Sequence, residues 1–258
     1  MARLRRVRPD DELTLVEHLD ELRSRLITTL VVLAIAVAVC FWQSGAILRF
    51  LSDPLPHHNG HPYKFLATSP LDPFLTSVSI GIYCSLLITL PVATYQLYAY
   101  VIPAFAEEYH RHIRPLVAMI PALFGLGVVF CWYLVIPPAL SFLINYNSEN
   151  FTVQLRAPDY IQFVVVTLAA LGIVFELPVV MLILGRIGIV TSARMRRHWR
   201  ISIVVLAVVA MLLPGVDPIS FIVEFVPLLA LYAFSYVLVR MVEPRRSGEQ
   251  QAEPEPSG

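Results

Sequence analysis

The sequence predicts an all-α polytopic membrane protein, and three observations carry that reading. Hydrophobic residues make up 57% of the 258 residues and mean hydropathy is +0.69. Charged residues are only 15%, against about 25% in an average soluble domain. The apolar residues fall in six runs, and the first four are long enough to cross a bilayer with tilt, a crossing taking about 20 residues.

Residues 1–25 form an N-terminal segment rich in both charges. It is too long and too acidic for the n-region of a signal peptide, and the run that follows lacks an A-x-A cleavage site, so an uncleaved anchor is expected. The first span is Leu26 to Leu48, followed by a polar, proline-bearing loop, Arg49 to Pro73. Phe74 to Ile102 and Leu116 to Ile144 are the second and third. A second polar loop, Asn145 to Tyr160, leads to the fourth, Ile161 to Leu184. The fifth, Ile201 to Leu213, reaches only about 20 Å at 1.5 Å per residue, short of a hydrocarbon core of roughly 30 Å. The sixth is Ile219 to Val239. The last pair reads either as two short spans or as a re-entrant break at "PGVDP", Pro214 to Pro218, where two prolines and a glycine stop a helix. The domain organisation expected is 1–25 cytoplasmic, 26–242 transmembrane, and a tail, 243–258, of disordered composition.

Basic residues set the expected orientation. Arg3, Arg5, Arg6, Arg8, Arg23 and Arg25 share a side with Arg111, Arg114, the five arginines between Arg186 and Arg200, Arg240, Arg245 and Arg246. The other side holds Arg49, Lys64 and Arg156. The positive-inside rule therefore places both termini in the cytoplasm and implies an even number of spans.

Several function classes receive no support. Net charge is +0, so no global field favours nucleic acid. Cys40, Cys84 and Cys131 all lie in apolar runs, and no CxxC or Cys/His spacing suggests a disulfide framework or zinc site. "HHNGH", His57 to His61, has a metal-binding composition, but no carboxylate or cysteine completes it, and a solvated loop explains it equally. HExxH, GxSxG, P-loop and GxGxxG patterns are absent. No cofactor and no enzyme activity are expected.

Charges inside spans are costly and point to function. Glu176 in "GIVFELPVV" precedes Pro178, and Glu224 in "FIVEFVP" precedes Pro227. Each is either a protonated carboxyl packed on a neighbour, with a proline-freed carbonyl as acceptor, or a polar site for a substrate or partner helix. The many prolines in or near spans, Pro91 to Pro227, suggest a curved bundle with a concave face.

The segment "LTLVEHLDELRSRL" joins charge to oil. Thr14 and Glu17 make a T-x-x-E capping box, so a helix is expected from Thr14. Leu15, Leu19, Leu22 and Leu26 form one apolar stripe. Glu17, Asp20, Glu21 and Ser24 occupy another face. Two readings stand: a solvated interfacial helix, or a carboxylate face that takes guanidinium groups, which carboxylates grip bidentately. Glu107 and Glu108, in "IPAFAEEYHRHIRP", supply a second acidic pair on the same side.

These residues resemble the TatC family, the multispanning receptor of the twin-arginine protein translocase. The likeness runs from about Leu13 to Val242. It rests on "LVEHLDELRSRL", "SDPL", "SPLDPF", "LPVATYQLYAYVIPAF", "FGLGVVFCWYLVIPPALSFL", "GIVFELPVV" and "GVDPIS". The resemblance implies six helices in a glove-like bundle with the last two short, in a bacterial cytoplasmic membrane. It implies binding of Arg-Arg signal peptides at the cytoplasmic face and recruitment of small single-span TatA/TatB-type partners. It also implies transport driven by the proton gradient, contact with lipid, and possible self-association.

By position, Glu21 matches the family's N-terminal acid and Glu176 its buried fourth-span acid. Pro54, Gln96, Tyr100 and Asp217 match other family positions. The implied signal-peptide site is Glu17, Asp20, Glu21, Arg23, Tyr100, Glu107 and Glu108. Gln96, Glu176 and Glu224 are the expected intramembrane polar or partner contacts, with Pro54 and Asp217 structural. Two departures stand out. The family's loop acid falls on Tyr109 here, and its sixth-span acid on Ala233. The rival reading is a proton-coupled small-solute transporter using Glu176 and Glu224.

Overall fold

A computed structural model describes residues 15–55, 65–101, 110–146, 149–150, 153–186, 188–214 and 218–242. Every long element among them is a helix, as expected. They are α1 (Leu15–Trp42), α2 (Ser44–Leu51), α3 (Asp72–Val101), α4 (His110–Phe130), α5 (Ile136–Asn145), α6 (Ala157–Val174), α7 (Leu177–Arg186), α8 (Ser192–Arg197), α9 (Trp199–Leu212) and α10 (Pro218–Val242). Five helical segments are long and apolar enough to cross a membrane: α1, α3, α4 continuing through α5, α6 continuing through α7, and α10; α9 is shorter.

Three boundaries differ from the sequence reading. The first apolar run does not continue to Leu48. It stops at Gln43, a turn residue, and restarts as the short helix α2. A five-residue π turn, Cys131–Val135, joins α4 to α5. Pro137 and Pro138 have no N–H for the carbonyls one α-turn back, and the wider turn delivers both prolines to the first turn of α5, where no N–H is needed. Of the two short helices expected at the end of the chain, only α9 is short. At 25 residues α10 runs through Pro227, the one proline in its interior, to Val242. The capping residue Thr14, the histidine loop and the tail lie outside the described residues.

The α6–α7 segment is the central post: 56% of its apolar window is buried, against 11% for α1. Around it are three apolar clusters. The largest joins Cys40, Ile80, Val135, Ile161 and Val164 from α1, α3, the π turn and α6. A second, Ile120, Val179, Leu182 and Ile183, packs with Tyr98 and Leu238. A third, Leu206, Ala210 and Leu228, ties α9 to α10.

The start of α1, the end of α3 and the ends of α7 and α10 lie together, and this end carries Arg23, Arg25, Arg186 and Arg240. At the opposite end the Tyr160 hydroxyl donates to the Leu51 carbonyl, and Leu66 N–H donates to the Leu155 carbonyl at 2.9 Å. There Asp72 accepts from the backbone N–H groups of Thr68 and Ser69 at 2.6 and 3.0 Å and meets Arg156 at 3.5 Å. The chain just after α9, at Pro214, lies well short of this end. Thr167 Oγ1 lies 3.4 Å from the Pro214 carbonyl, and Thr167 is about 15 Å along the axis from the start of α6. The C-terminal end of α9 is therefore recessed from the end that holds Tyr160 and Leu51.

Small residues let the helices approach closely. A Cβ on Gly127 of α4 would sit 2.8 Å from Phe175 Cβ and 2.9 Å from the Leu171 carbonyl oxygen, whereas one on Gly125 meets nothing within 4 Å. Gly127→Ala is expected to destabilise by about 1–3 kcal/mol, the usual penalty of overpacking. Gly125→Ala should be nearly silent. Thermal unfolding of the two purified variants in one detergent checks the pair; equal midpoints would contradict the close packing.

Candidate functional site

The expected acidic site lies at the arginine-rich end, where the first turns of α1 meet the last turns of α3. Leu19, Leu22 and Leu26 are 62%, 41% and 57% exposed. The leucine stripe thus faces outward, away from the bundle. Glu21 and Arg25, one helical turn apart, are half-buried on another face. That turns Glu21 toward α3.

Glu21 is already occupied. Arg25 Nε donates to Glu21 Oε1 at 3.1 Å, and Arg25 Nη2 donates to the same oxygen. Arg25 Nη1 donates to Gln96 Oε1 on α3 at 3.1 Å. One guanidinium therefore bridges a carboxylate on one helix and a side-chain amide on another. Glu21 Oε2 accepts no hydrogen bond among the described residues. Gln96, an expected intramembrane polar or partner contact, thus lies beside the N-terminal helix. Arg25 already covers part of the carboxylate face.

The other expected residues fall as follows. Asp20 and Arg23 are exposed beside Glu21, and Tyr100 is half-buried near the end of α3. Glu17 lies on α1, with its side chain outside the described ones. Glu107, Glu108, Tyr109 and Asp217 lie outside the described residues. Pro54 is half-buried in the turn after α2.

Two acids are buried in the bundle, at separate places. Glu176 sits in the two-residue break between α6 and α7, 3% exposed. The Tyr98 hydroxyl of α3 donates to its carboxylate, while Oε1 accepts no hydrogen bond among the described residues. The break has a local cause: Pro178 cannot supply an N–H to the Val174 carbonyl, and the Glu176 carbonyl instead accepts from Val179 and Val180. Glu224, 1% exposed, interacts with Cys131 at the π turn. No hydrogen bond joins the two carboxyl groups. Among the described residues no group of three His, Cys, Asp or Glu side chains is placed to hold a metal.

Sequence reasoning missed Arg25 and Tyr98 as parts of these sites. The i,i+4 spacing of Glu21 and Arg25 was visible, but the reach across to Gln96 was not. Tyr98 is one of three tyrosines in "YQLYAY", and nothing in the sequence singles it out.

This arrangement can be set against known proteins. The family model "Sec-independent protein translocase protein (TatC)" matches residues 17–227. The chain belongs to the TatC family. It is 34% identical over 236 residues to the chloroplastic TATC of Oryza sativa subsp. japonica, covering 90% of this chain and 65% of that protein. It therefore spans just under two thirds of that plant relative. It is 32% identical over 214 residues to TatC of Synechocystis sp., covering 82% of each chain. The crystal structure of a twin-arginine translocase receptor, TatC, superposes with a TM-score of 0.72 at 28% identity, covering 88% of this chain and 99% of that one. A second, of the receptor in DDM, gives 0.73 at 29% identity, covering 87% and 100%.

The TatC fold thus accounts for the helical bundle, and the chain is a multi-pass membrane protein of the TatC family. The helical membrane fold and the family resemblance expected from the sequence both hold.

Proposed function

We propose that this TatC-family chain is the receptor subunit of a twin-arginine translocase in a bacterial cytoplasmic membrane. It crosses the bilayer six times, with α9 as the short pass and both termini in the cytoplasm. It binds the Arg-Arg motif of folded precursors' signal peptides at the arginine-rich end, then recruits TatA/TatB-type single-span partners. The proton gradient drives transport.

One observation carries the reading. Glu21, at the membrane boundary of α1, holds a guanidinium against Gln96 of α3. A carboxylate and an amide oxygen so placed suit a planar, forked cation better than a compact ammonium. Glu107 and Glu108 supply further carboxylates for the second arginine, from the loop that follows α3 in the chain.

The transporter reading finds less support. It needs Glu176 and Glu224 to relay a proton, and each has a different neighbour, Tyr98 for one and Cys131 for the other.

A signal peptide carrying a photo-crosslinker beside its two arginines tests the receptor reading. The label should fall on residues around Leu19 to Arg23. Labelling centred on Trp42, at the far end of α1, would contradict it.

A further inference from the structure

We propose that Arg25 is a resident competitor for the signal-peptide site and sets its preference for arginine over lysine. This deepens the receptor reading and rests on it. Arg25 is not a substrate-binding group in this account. It occupies the place that an incoming guanidinium must take.

The geometry has three parts. Arg25 presents Nε and Nη2 to a single oxygen of Glu21, and Nη1 to Gln96. The clip therefore holds one carboxylate oxygen and one amide oxygen and leaves Glu21 Oε2 unused. The pair is also accessible, with side-chain exposures of 24% for Arg25 and 31% for Glu21. A peptide can reach it from solvent without opening the bundle. Finally, Arg25 and Arg23 set two positive charges beside Glu21, against the one exposed carboxylate of Asp20. Arg23 is exposed two residues away and forms no ion pair among the described residues.

An arriving arginine then has two courses. It can add to Oε2 alone, next to the positive charge of Arg25, or it can displace Arg25 and take the forked contact with Glu21 and Gln96. Exchange is nearly even for a guanidinium, because like replaces like. It is unfavourable for a lysine. An ammonium is a point charge and does not reproduce a planar fork that spans two acceptors. The resident arginine thus converts a general preference for cations into a preference for guanidinium. The incoming guanidinium then bridges Glu21 of α1 and Gln96 of α3 in place of Arg25.

The test compares Arg25→Gln with the parent, both as full chains in nanodiscs, using one signal peptide with Arg-Arg and the same peptide with Lys-Lys. An exposed ion pair contributes little, so the expected gain is about two- to fivefold in affinity for Arg-Arg. The gain for Lys-Lys should be larger, so the Arg/Lys ratio falls. Arg25→Lys, which keeps the charge and loses the fork, should fall between. Thermal midpoints of the three proteins establish that each is folded. A folded Arg25→Gln with an unchanged or larger Arg/Lys ratio would overturn the proposal, as would weaker binding of both peptides. If the parent itself binds neither peptide, the receptor reading fails and this inference goes with it.

Discussion

Glu21→Gln is expected to lower affinity for an Arg-Arg signal peptide by about tenfold to a hundredfold. The range is that of hydrogen bonds to a charged group, roughly 1.5–3 kcal/mol, with 1.4 kcal/mol per decade. The substitution keeps the shape of the side chain and removes its charge. It spares the fold because the pair it breaks is half-exposed, and such pairs contribute at most about 1 kcal/mol to stability. Loss of binding with an unchanged melting midpoint is therefore the expected pattern. Fluorescence anisotropy with a labelled peptide, on the variant in nanodiscs, reads it directly. Affinity equal to the parent's would remove Glu21 from the site. Binding would then rest on the loop acids Glu107 and Glu108.

Glu176→Gln addresses the other end of the process. Glu176 is buried and reached by Tyr98 from α3, so it lies behind the surface where a peptide first docks. Docking affinity should stay within about twofold of the parent. Export of a folded precursor should fall by about tenfold, roughly 1.4 kcal/mol and the scale of one intramolecular hydrogen bond. Glu176 stands at the break between α6 and α7, a place where two helical segments can shift against each other. Transport into vesicles, measured beside peptide binding on the same preparation, separates the two steps. A parallel loss of docking would count against a deep role.

Much of this fold was legible in the sequence because lipid imposes long apolar runs on any helical protein that spans it. The Gln43 break, the π turn before Pro137 and the length of α10 were harder to see. Periodicity does not distinguish an apolar helix that stops from one that goes on, and a proline can bend, end or merely pass through a helix.

The acidic site was legible in part for a different reason. Carboxylates at helical spacing identify a face, and Glu21 matched its family position. What the sequence left out was the occupant. Arg25 reads as a helix-surface partner of Glu21 by spacing, and only the approach of α3 makes it a bridge to Gln96. Pairs separated by 71 residues leave no local signal.

The central claim is that this chain recognises arginine pairs at the end of the bundle where α1 meets α3. The most direct test measures equilibrium binding of one signal peptide to the parent protein in nanodiscs, with Arg-Arg and then with Lys-Lys. Arg-Arg should bind more tightly by at least about tenfold, one forked charge-assisted contact's worth. Equal affinities, or binding of neither peptide, would contradict it.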